Sequence, residues 1–197
     1  MQEQSSIKWA NFIIPVLLVV AFIVFYFTTR QPAIDLGGMT VEQMPLDPFV
    51  IPEGEPGVTK TAADLQGKIT FVSFWATWCG PCQMELPHVG ALARHFHEDP
   101  DVQIWTILLE NQADEKTQNA VLQIFDQKNV AMPVYVLTGP LKPETLEPEK
   151  IPNAILVDQN GKVVKRWIGG NGNLENEVIE LVAALKNNTG KAAAPNP

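Results

Sequence analysis

The sequence predicts an α/β domain with a central mixed β-sheet flanked by helices, preceded by one N-terminal transmembrane helix. Three observations predict this arrangement. Strand and helix patterns alternate along the chain and are followed by a strand hairpin and a closing helix. Residues 69–76 are apolar on both faces, as is typical of a strand covered on both sides. Residues 10–27 are almost unbroken hydrocarbon, long enough to cross a bilayer.

Composition limits the size of the protein and its partners. A chain of 197 residues suffices for one domain of ordinary size with an appendage. A hydrophobic content of 46% is normal for a globular protein and excludes wholesale disorder. The net charge of −8, without a basic stripe, argues against nucleic acid as a partner.

The N-terminal part is expected to hold the domain at a membrane. Residues 1–9 form a short polar flank, 10–29 an anchor and 30–47 a linker containing proline and glycine. The residues after the apolar run are bulky, and no small-x-small cleavage site is found among them. An uncleaved anchor is therefore favoured over a cleaved signal peptide. The positive charges of Lys8 and Arg30, on either side of the apolar run, nearly balance. Charge alone therefore leaves the orientation of the anchor in the membrane open. The redox chemistry below favours an extracytoplasmic domain.

The domain itself is predicted over residues 48–186, with a flexible tail at 187–197. Helices are expected at 84–96, 117–127 and 174–185. The dipeptide Asn160-Gly161 predicts a hairpin turn. The proline-rich stretch 138–150 is expected to be a loop or broken helix, and Glu110 is expected in a solvated loop. Strands are expected at 49–51, 58–61, 69–76, 102–109, 133–137, 154–157 and 162–168.

The only two cysteines, Cys79 and Cys82, stand at a predicted strand-to-helix turn with Gly80 and Pro81 between them. A thiolate is the attacking species in thiol–disulfide exchange, and the start of a helix favours negative charge. Proline in the first turn loses no helical hydrogen bond. The pattern predicts a redox site in which Cys79 attacks and Cys82 resolves, while Trp78 offers an apolar contact surface.

The segment from Trp78 to Cys82, with Pro87 five residues later, resembles the active-site motif of thioredoxins. Ile151-Pro152 resembles that family's cis-proline segment, and a cis bond is plausible only before proline. Gly169-Gly170 resembles the loop that completes the substrate surface. The resemblance implies a thioredoxin-like fold and a redox-active Cys79–Cys82 disulfide. The substrate-binding residues that it implies are Trp78, Gly80, Pro81, Ile151, Pro152 and Gly169.

Two positions make the resemblance more specific. Ser73 stands where thioredoxins have a buried Asp, and Glu85 follows Cys82 by three residues. This pattern is similar to the TlpA/ResA branch of membrane-anchored extracytoplasmic thioredoxins. For Glu85 the resemblance implies a raised pKa and a catalytic proton-relay role for the resolving thiol. The proline-rich stretch and Asn153, where Thr is usual, depart from the branch and leave the client open.

The resemblance also implies the partners and the location. Clients would be exported protein thiols and disulfides in cytochrome c maturation or metal-centre assembly, on the periplasmic side. Electrons would come from a membrane-embedded thiol donor, with no cofactor and no metal. The segment from Ala10 to Thr28 would contact the lipid bilayer.

Several alternatives stay open. The cysteines could be structural, Glu85 could be a solvated helix position, and Pro152 could be an ordinary trans turn proline. A copper metallochaperone could use the two thiols with help from His88, although copper carriers of this fold resemble a wider cysteine spacing. A disulfide oxidase or isomerase of the same fold is a further alternative. A peroxidase of this fold is disfavoured, because its Pro-x-x-x-Thr-x-x-Cys pattern is missing.

Overall fold

The computed structural model describes residues 14–21, 46–52, 57–110, 113–137 and 150–192. The chain divides into two units, Met1–Pro32 and Ala33–Pro197. In the first unit residues 14–21 are helical and form α1. Among the described residues, no helix combines the length and the apolar character needed to span a bilayer. The remainder of the predicted anchor, most of the linker and residues 138–149 lie outside the described ranges.

The second unit is built on a mixed sheet, as predicted, and the described residues supply six strands to it. Its strands are β1 (Leu46–Val50), β2 (Ile69–Trp75), β3 (Val102–Leu108), β4 (Val134–Leu137), β5 (Asn153–Val157) and β6 (Val163–Ile168). They lie in the order β1-β4-β3-β2-β5-β6. β2, β3 and β4 are parallel, whereas β1, β5 and β6 run antiparallel to their neighbours. The hairpin is thus added to one side of a parallel core.

Three helices connect and close this sheet. They are α2 (Gly80–His95), α3 (Glu115–Lys128) and α4 (Leu174–Ala192). Asp114 begins α3, because its carboxylate accepts a hydrogen bond from the Thr117 N–H at 2.8 Å. Asn129 ends α3 in the left-handed conformation, with φ of 52°. A short 3₁₀ turn, Ala62–Leu65, precedes β2.

β2 is the centre of the core, and all seven of its residues are buried. Its alternate side chains enter two different clusters. Phe71 and Trp75 pack in the cluster that also holds the buried residues of the three helices. Val72 and Phe74 belong to a second cluster, together with Trp105. The expectation of a strand covered on both faces is therefore confirmed, and the dithiol follows at its end.

The predicted hairpin turn joins β5 to β6. In it only Gly161 has a positive φ, of 76°, and the Asp158 carboxylate accepts backbone hydrogen bonds. Two local expectations differ from the structure. Residues 58–61 form no strand, because this segment meets β1 at a single bridge between Lys60 and Leu46. The closing helix continues to Ala192, past the point where the tail was expected to begin.

Candidate active site

Cys79 and Cys82 form a disulfide at the start of α2, with an S–S distance of 1.99 Å. Cys79 is the N-cap residue of the helix, and its Sγ accepts a hydrogen bond from the Cys82 N–H at 3.2 Å. The same N–H would stabilise a thiolate on Cys79 once the disulfide is reduced. Both cysteines are buried, with 5% and 2% of their surface exposed. Little of either cysteine is therefore presented at the surface of the oxidised protein.

Several exposed side chains on the elements around the disulfide are apolar. Trp78 is 61% exposed beside Cys79, and Gly80 and Pro81 in the first turn of α2 are exposed as well. Two further large side chains, Met84 on α2 and Ile168 at the end of β6, are exposed. Large exposed apolar side chains are a feature of surfaces that bind other proteins.

The proline segment lies at the same end of the sheet. The peptide bond between Ile151 and Pro152 is cis, which excludes the trans alternative. Asn153 pairs with Phe74 near the end of β2, so the preceding proline stands close to the strand end that leads into the dithiol. Ile151 packs against the cluster that contains both cysteines.

The residue predicted to complete the substrate surface is tied to this proline. The Gly169 N–H donates to the Pro152 carbonyl at 2.8 Å. Gly169 has a φ of 83°, a conformation that favours glycine. The structure thus brings Pro152 and Gly169 together, as the sequence resemblance implied.

Glu85 is buried behind the dithiol, with 6% of its surface exposed. It lies on α2, one turn after Cys82, where residues three apart share a face. Burial raises the pKa of its carboxyl group, and a hydrogen bond from the Asn171 N–H at 3.4 Å and the charge of His88 oppose that rise only in part. Glu85 is therefore not a solvated helix position, and it exchanges a proton nearer to neutral pH than an ordinary glutamate does.

The histidines on and after α2 have separate surroundings. His88 Nδ1 lies 3.8 Å from the Glu175 carboxylate, and both side chains are partly exposed. The His95 ring meets the Phe96 ring edge-on. In the described part of the chain, no three His, Cys, Asp or Glu side chains are grouped so that they could hold a metal ion.

The sequence analysis missed a contact between Glu110 and Thr77, just before the two cysteines. The Glu110 carboxylate accepts hydrogen bonds from the Thr77 N–H at 2.8 Å and from the Thr77 hydroxyl at 2.5 Å. Gln83 donates to the Thr77 carbonyl at 2.6 Å. The solvated loop expected for Glu110 was wrong, because the carboxylate is held in a partly buried contact. No local pattern marks this pair, since 33 positions separate its members.

Comparison with known proteins places this fold and site in a family. A family model described as Redoxin matches residues 42–185, which include every strand of the sheet and both cysteines. The chain belongs to the Redoxin family. Its redoxin part ends within α4.

Relatives of this redoxin include thiol-disulfide oxidoreductases named ResA. The protein from Bacillus cereus is 38% identical over 106 residues, which are 54% of this chain and 58% of that relative. The redoxin thus spans less than two thirds of that relative's length. The protein from Geobacillus thermodenitrificans is 26% identical over 167 residues, covering 84% of this chain and 88% of that relative.

A solved structure confirms the fold of the redoxin. The crystal structure of a thiol-disulfide isomerase from Corynebacterium glutamicum matches with a TM-score of 0.53. The match covers 74% of this chain and 96% of that one, at 20% sequence identity. At this identity the likeness shows the fold alone, and the thioredoxin-like α/β fold is confirmed.

Proposed function

We propose that this redoxin is a thiol–disulfide oxidoreductase that reduces disulfides in client proteins. The observation that carries the proposal is the Cys79–Cys82 disulfide at the start of α2, where a backbone N–H faces the Cys79 sulfur. The relatives named thiol-disulfide oxidoreductase ResA support the same activity.

The reaction uses the two sulfurs in sequence. In the reduced protein the Cys79 thiolate attacks a client disulfide, whose S–S bond breaks as one client sulfur leaves and a mixed disulfide forms. Cys82 then attacks the Cys79 sulfur, releases the second client thiol and restores the Cys79–Cys82 disulfide. Two electrons pass to the client in each cycle, so a dithiol donor must return two electrons to the redoxin.

Glu85 serves the second step. Cys82 attacks as a thiolate, so its proton must leave first, and the Cys82 side chain is almost fully buried. A carboxylate with a raised pKa, one helical turn away, is suited to accept that proton. The client meanwhile docks on the exposed Trp78 and beside the cis-Pro152 segment.

The site of action is proposed to be the extracytoplasmic, periplasmic side of a membrane. The apolar run that begins at Ala10 supports an anchor, and the resemblance to membrane-anchored thioredoxins supports exported clients and a membrane-embedded thiol donor. Clients would belong to cytochrome c maturation or metal-centre assembly. A topology reporter fused after Arg30 is expected to be active only outside the cytoplasm. A reporter active only inside would overturn this location.

Trapping tests the activity and finds the client. The Cys82→Ser variant cannot resolve the mixed disulfide, so it should accumulate a covalent complex that reductant releases. The Cys79→Ser variant is the matched control, because it lacks the attacking thiolate and should trap nothing. Non-reducing electrophoresis followed by mass spectrometry gives the result. A Cys82→Ser variant that traps no more than the control would contradict the proposal.

The direction of transfer is tested by the redox potential. A reductase should equilibrate near the thioredoxin value of about −270 mV, whereas a strong oxidase stands at about −120 mV. Titration against dithiothreitol buffers, read by alkylation of the free thiols, measures it. A value near the oxidising end would replace the reductase by an oxidase or isomerase.

A further inference from the structure

Three hydrogen bonds hold Thr77, two residues before the attacking cysteine. Glu110 accepts from the Thr77 N–H and hydroxyl, and Gln83 donates to the Thr77 carbonyl. We call this arrangement the Thr77 clamp. It engages every polar group of one residue from two sides.

The two sides of the clamp belong to different elements. Glu110 follows the end of β3, where the Leu109 N–H also donates to the Trp75 carbonyl at 2.8 Å. Gln83 lies in α2, immediately after Cys82. The clamp therefore joins the end of a core strand to the active-site helix across the short segment from Ala76 to Trp78.

The two hydrogen bonds that Glu110 accepts from Thr77 are strong. A carboxylate that accepts from an N–H and a hydroxyl makes charge-assisted hydrogen bonds, and both are partly buried. The next residue, Trp78, is 61% exposed, so its side chain has few contacts of its own to fix its direction. The Cys79 sulfur is held by its own bonds to Cys82, so the backbone at Thr77 bears mainly on where Trp78 starts from.

We propose that Glu110 and Gln83 are positioning residues, which hold Thr77 so that Trp78 and Cys79 together fit an extended protein chain carrying a disulfide. This inference rests on the proposed function and adds to it the residues that make the site prefer a protein disulfide to a small one. A protein client must touch the indole and place its disulfide on Cys79 at once. A small disulfide needs only the sulfur, and its reaction does not depend on the clamp.

The test compares two substrates in variants of the full chain. Glu110→Ala removes both bonds to Thr77, whereas Glu110→Gln keeps an acceptor oxygen and the side-chain shape. Glu98→Ala is the matched control, since it removes an exposed carboxylate elsewhere on the domain. The probes are insulin, as a protein disulfide, and Ellman's reagent, as a small one. Insulin reduction is followed with dithiothreitol as the electron donor. Ellman's reagent reacts with dithiothreitol directly, so it is mixed with protein that has been reduced and then freed of dithiothreitol, and the rate constant of that reaction is measured.

Glu110→Ala should lower kcat/KM for insulin by about tenfold, through a higher KM, because both hydrogen bonds to Thr77 lose their acceptor oxygen. The rate with Ellman's reagent should stay within about twofold, and Glu110→Gln and Glu98→Ala should both resemble the wild type. Equal losses on both probes, no loss on insulin, or a Glu110→Gln variant as impaired as Glu110→Ala would each overturn the inference. Failure of the wild type to reduce either probe would instead overturn the proposed function.

Discussion

At the scale of single residues, the difference between this redoxin and a general thioredoxin concerns the position of one carboxyl group. Ser73 in β2 is buried and neutral, between Thr106 and Ala154 in the sheet register. The acid stands on the helix instead, at Glu85, where burial raises its pKa. In the proposed mechanism, proton transfer to and from Cys82 falls to Glu85 on α2, whose carboxyl group accepts from the Asn171 N–H.

The pKa of Glu85 predicts how stability depends on pH. Because the folded pKa is raised, the stability that the protonated group provides is full below its unfolded value of about 4.5 and is lost as pH rises through the folded value. Glu85→Gln should therefore match the wild type at low pH and become more stable than the wild type as pH rises. Urea unfolding at a series of pH values measures this. A difference that stays constant with pH would contradict the assigned cause.

The same substitution should separate the two chemical steps. Without a proton acceptor beside Cys82, resolution of the mixed disulfide should slow by about a hundredfold, while attack by Cys79 changes little. Stopped-flow tryptophan fluorescence with a protein disulfide resolves the two phases. Glu180→Gln, at an exposed position of α4, serves as the control and should alter neither phase. Equal slowing of both steps would assign Glu85 to the attack instead.

Residues that are adjacent in the sequence could be predicted, and residues that meet only in the fold could not. Cys79, Cys82 and the cis-Pro152 segment each belong to a short pattern with its own chemistry. Glu110 meets Thr77 across 33 positions, and Asn171 meets Glu85 across 86. Such contacts depend on strand order, which the pattern of apolar residues does not specify.

At the scale of elements, α2 has to satisfy both the site and the core. Its first turn holds the disulfide, Pro87 interrupts its hydrogen bonds, and its buried residues face the sheet. Gly90 of α2 lies against the residues that follow α3, because a Cβ at this position would stand 2.8 Å from Val130 Cγ1. The absence of a side chain at Gly90 allows the helix to pack at this distance.

Gly90→Ala should therefore destabilise the domain. Helix propensity favours alanine by up to about 1 kcal/mol, but overpacking in a core costs about 1–3 kcal/mol, so a net loss of about 1 kcal/mol is expected. Val130 cannot move its methyl group easily, since its χ1 is restricted. Denaturant unfolding measures the change.

Two further variants check the cause of that loss. Gly80→Ala is the matched control on the same helix, because nothing lies within 4 Å of a Cβ there. Adding Val130→Ala to Gly90→Ala should recover part of the loss, which a double-mutant cycle reports as coupling between the two sites. An absence of coupling would show that the clash between a Cβ at Gly90 and Val130 does not cause the loss of stability.

Element boundaries followed the sequence where a capping residue marked them. Asp114 and Asn129 delimit α3 within a few residues of the predicted span. α4 runs on through Asn188-Thr189-Gly190, because the weak helix propensity of these residues costs too little to end a helix that is already formed. Residues 58–61 have the composition of a strand. A segment becomes a strand only when a neighbouring strand pairs with it, and β1 pairs with this segment at a single bridge.

At the scale of the whole domain, an ion pair joins the turn after α2 to α4. Asp99, in the turn after α2, accepts from Lys186 of α4 at 2.6 and 2.5 Å. The hydrogen bond from Lys186 lowers the pKa of Asp99. The pair lies at the partly exposed surface, so its contribution to stability is small.

Asp99→Asn should lower the free energy of unfolding by about 0.5 kcal/mol at neutral pH. Because the folded pKa is lowered, the contribution of Asp99 is present above its unfolded value of about 3.8 and is lost as pH falls through the folded value. The difference from the wild type should therefore vanish in acid. Asp126→Asn, on the exposed side of α3, is the control for a removed charge. A deficit that persists at low pH would point to packing rather than charge.

The central position of β2 has a mechanical consequence. A mixed disulfide is a covalent tether, so thermal motion of a large client pulls on Cys79. That tension passes through residues 76–78 into a strand that is hydrogen-bonded along its length to β3 on one side and β5 on the other. Both ladders share the load, so the pull on the sulfur is spread over the centre of the sheet.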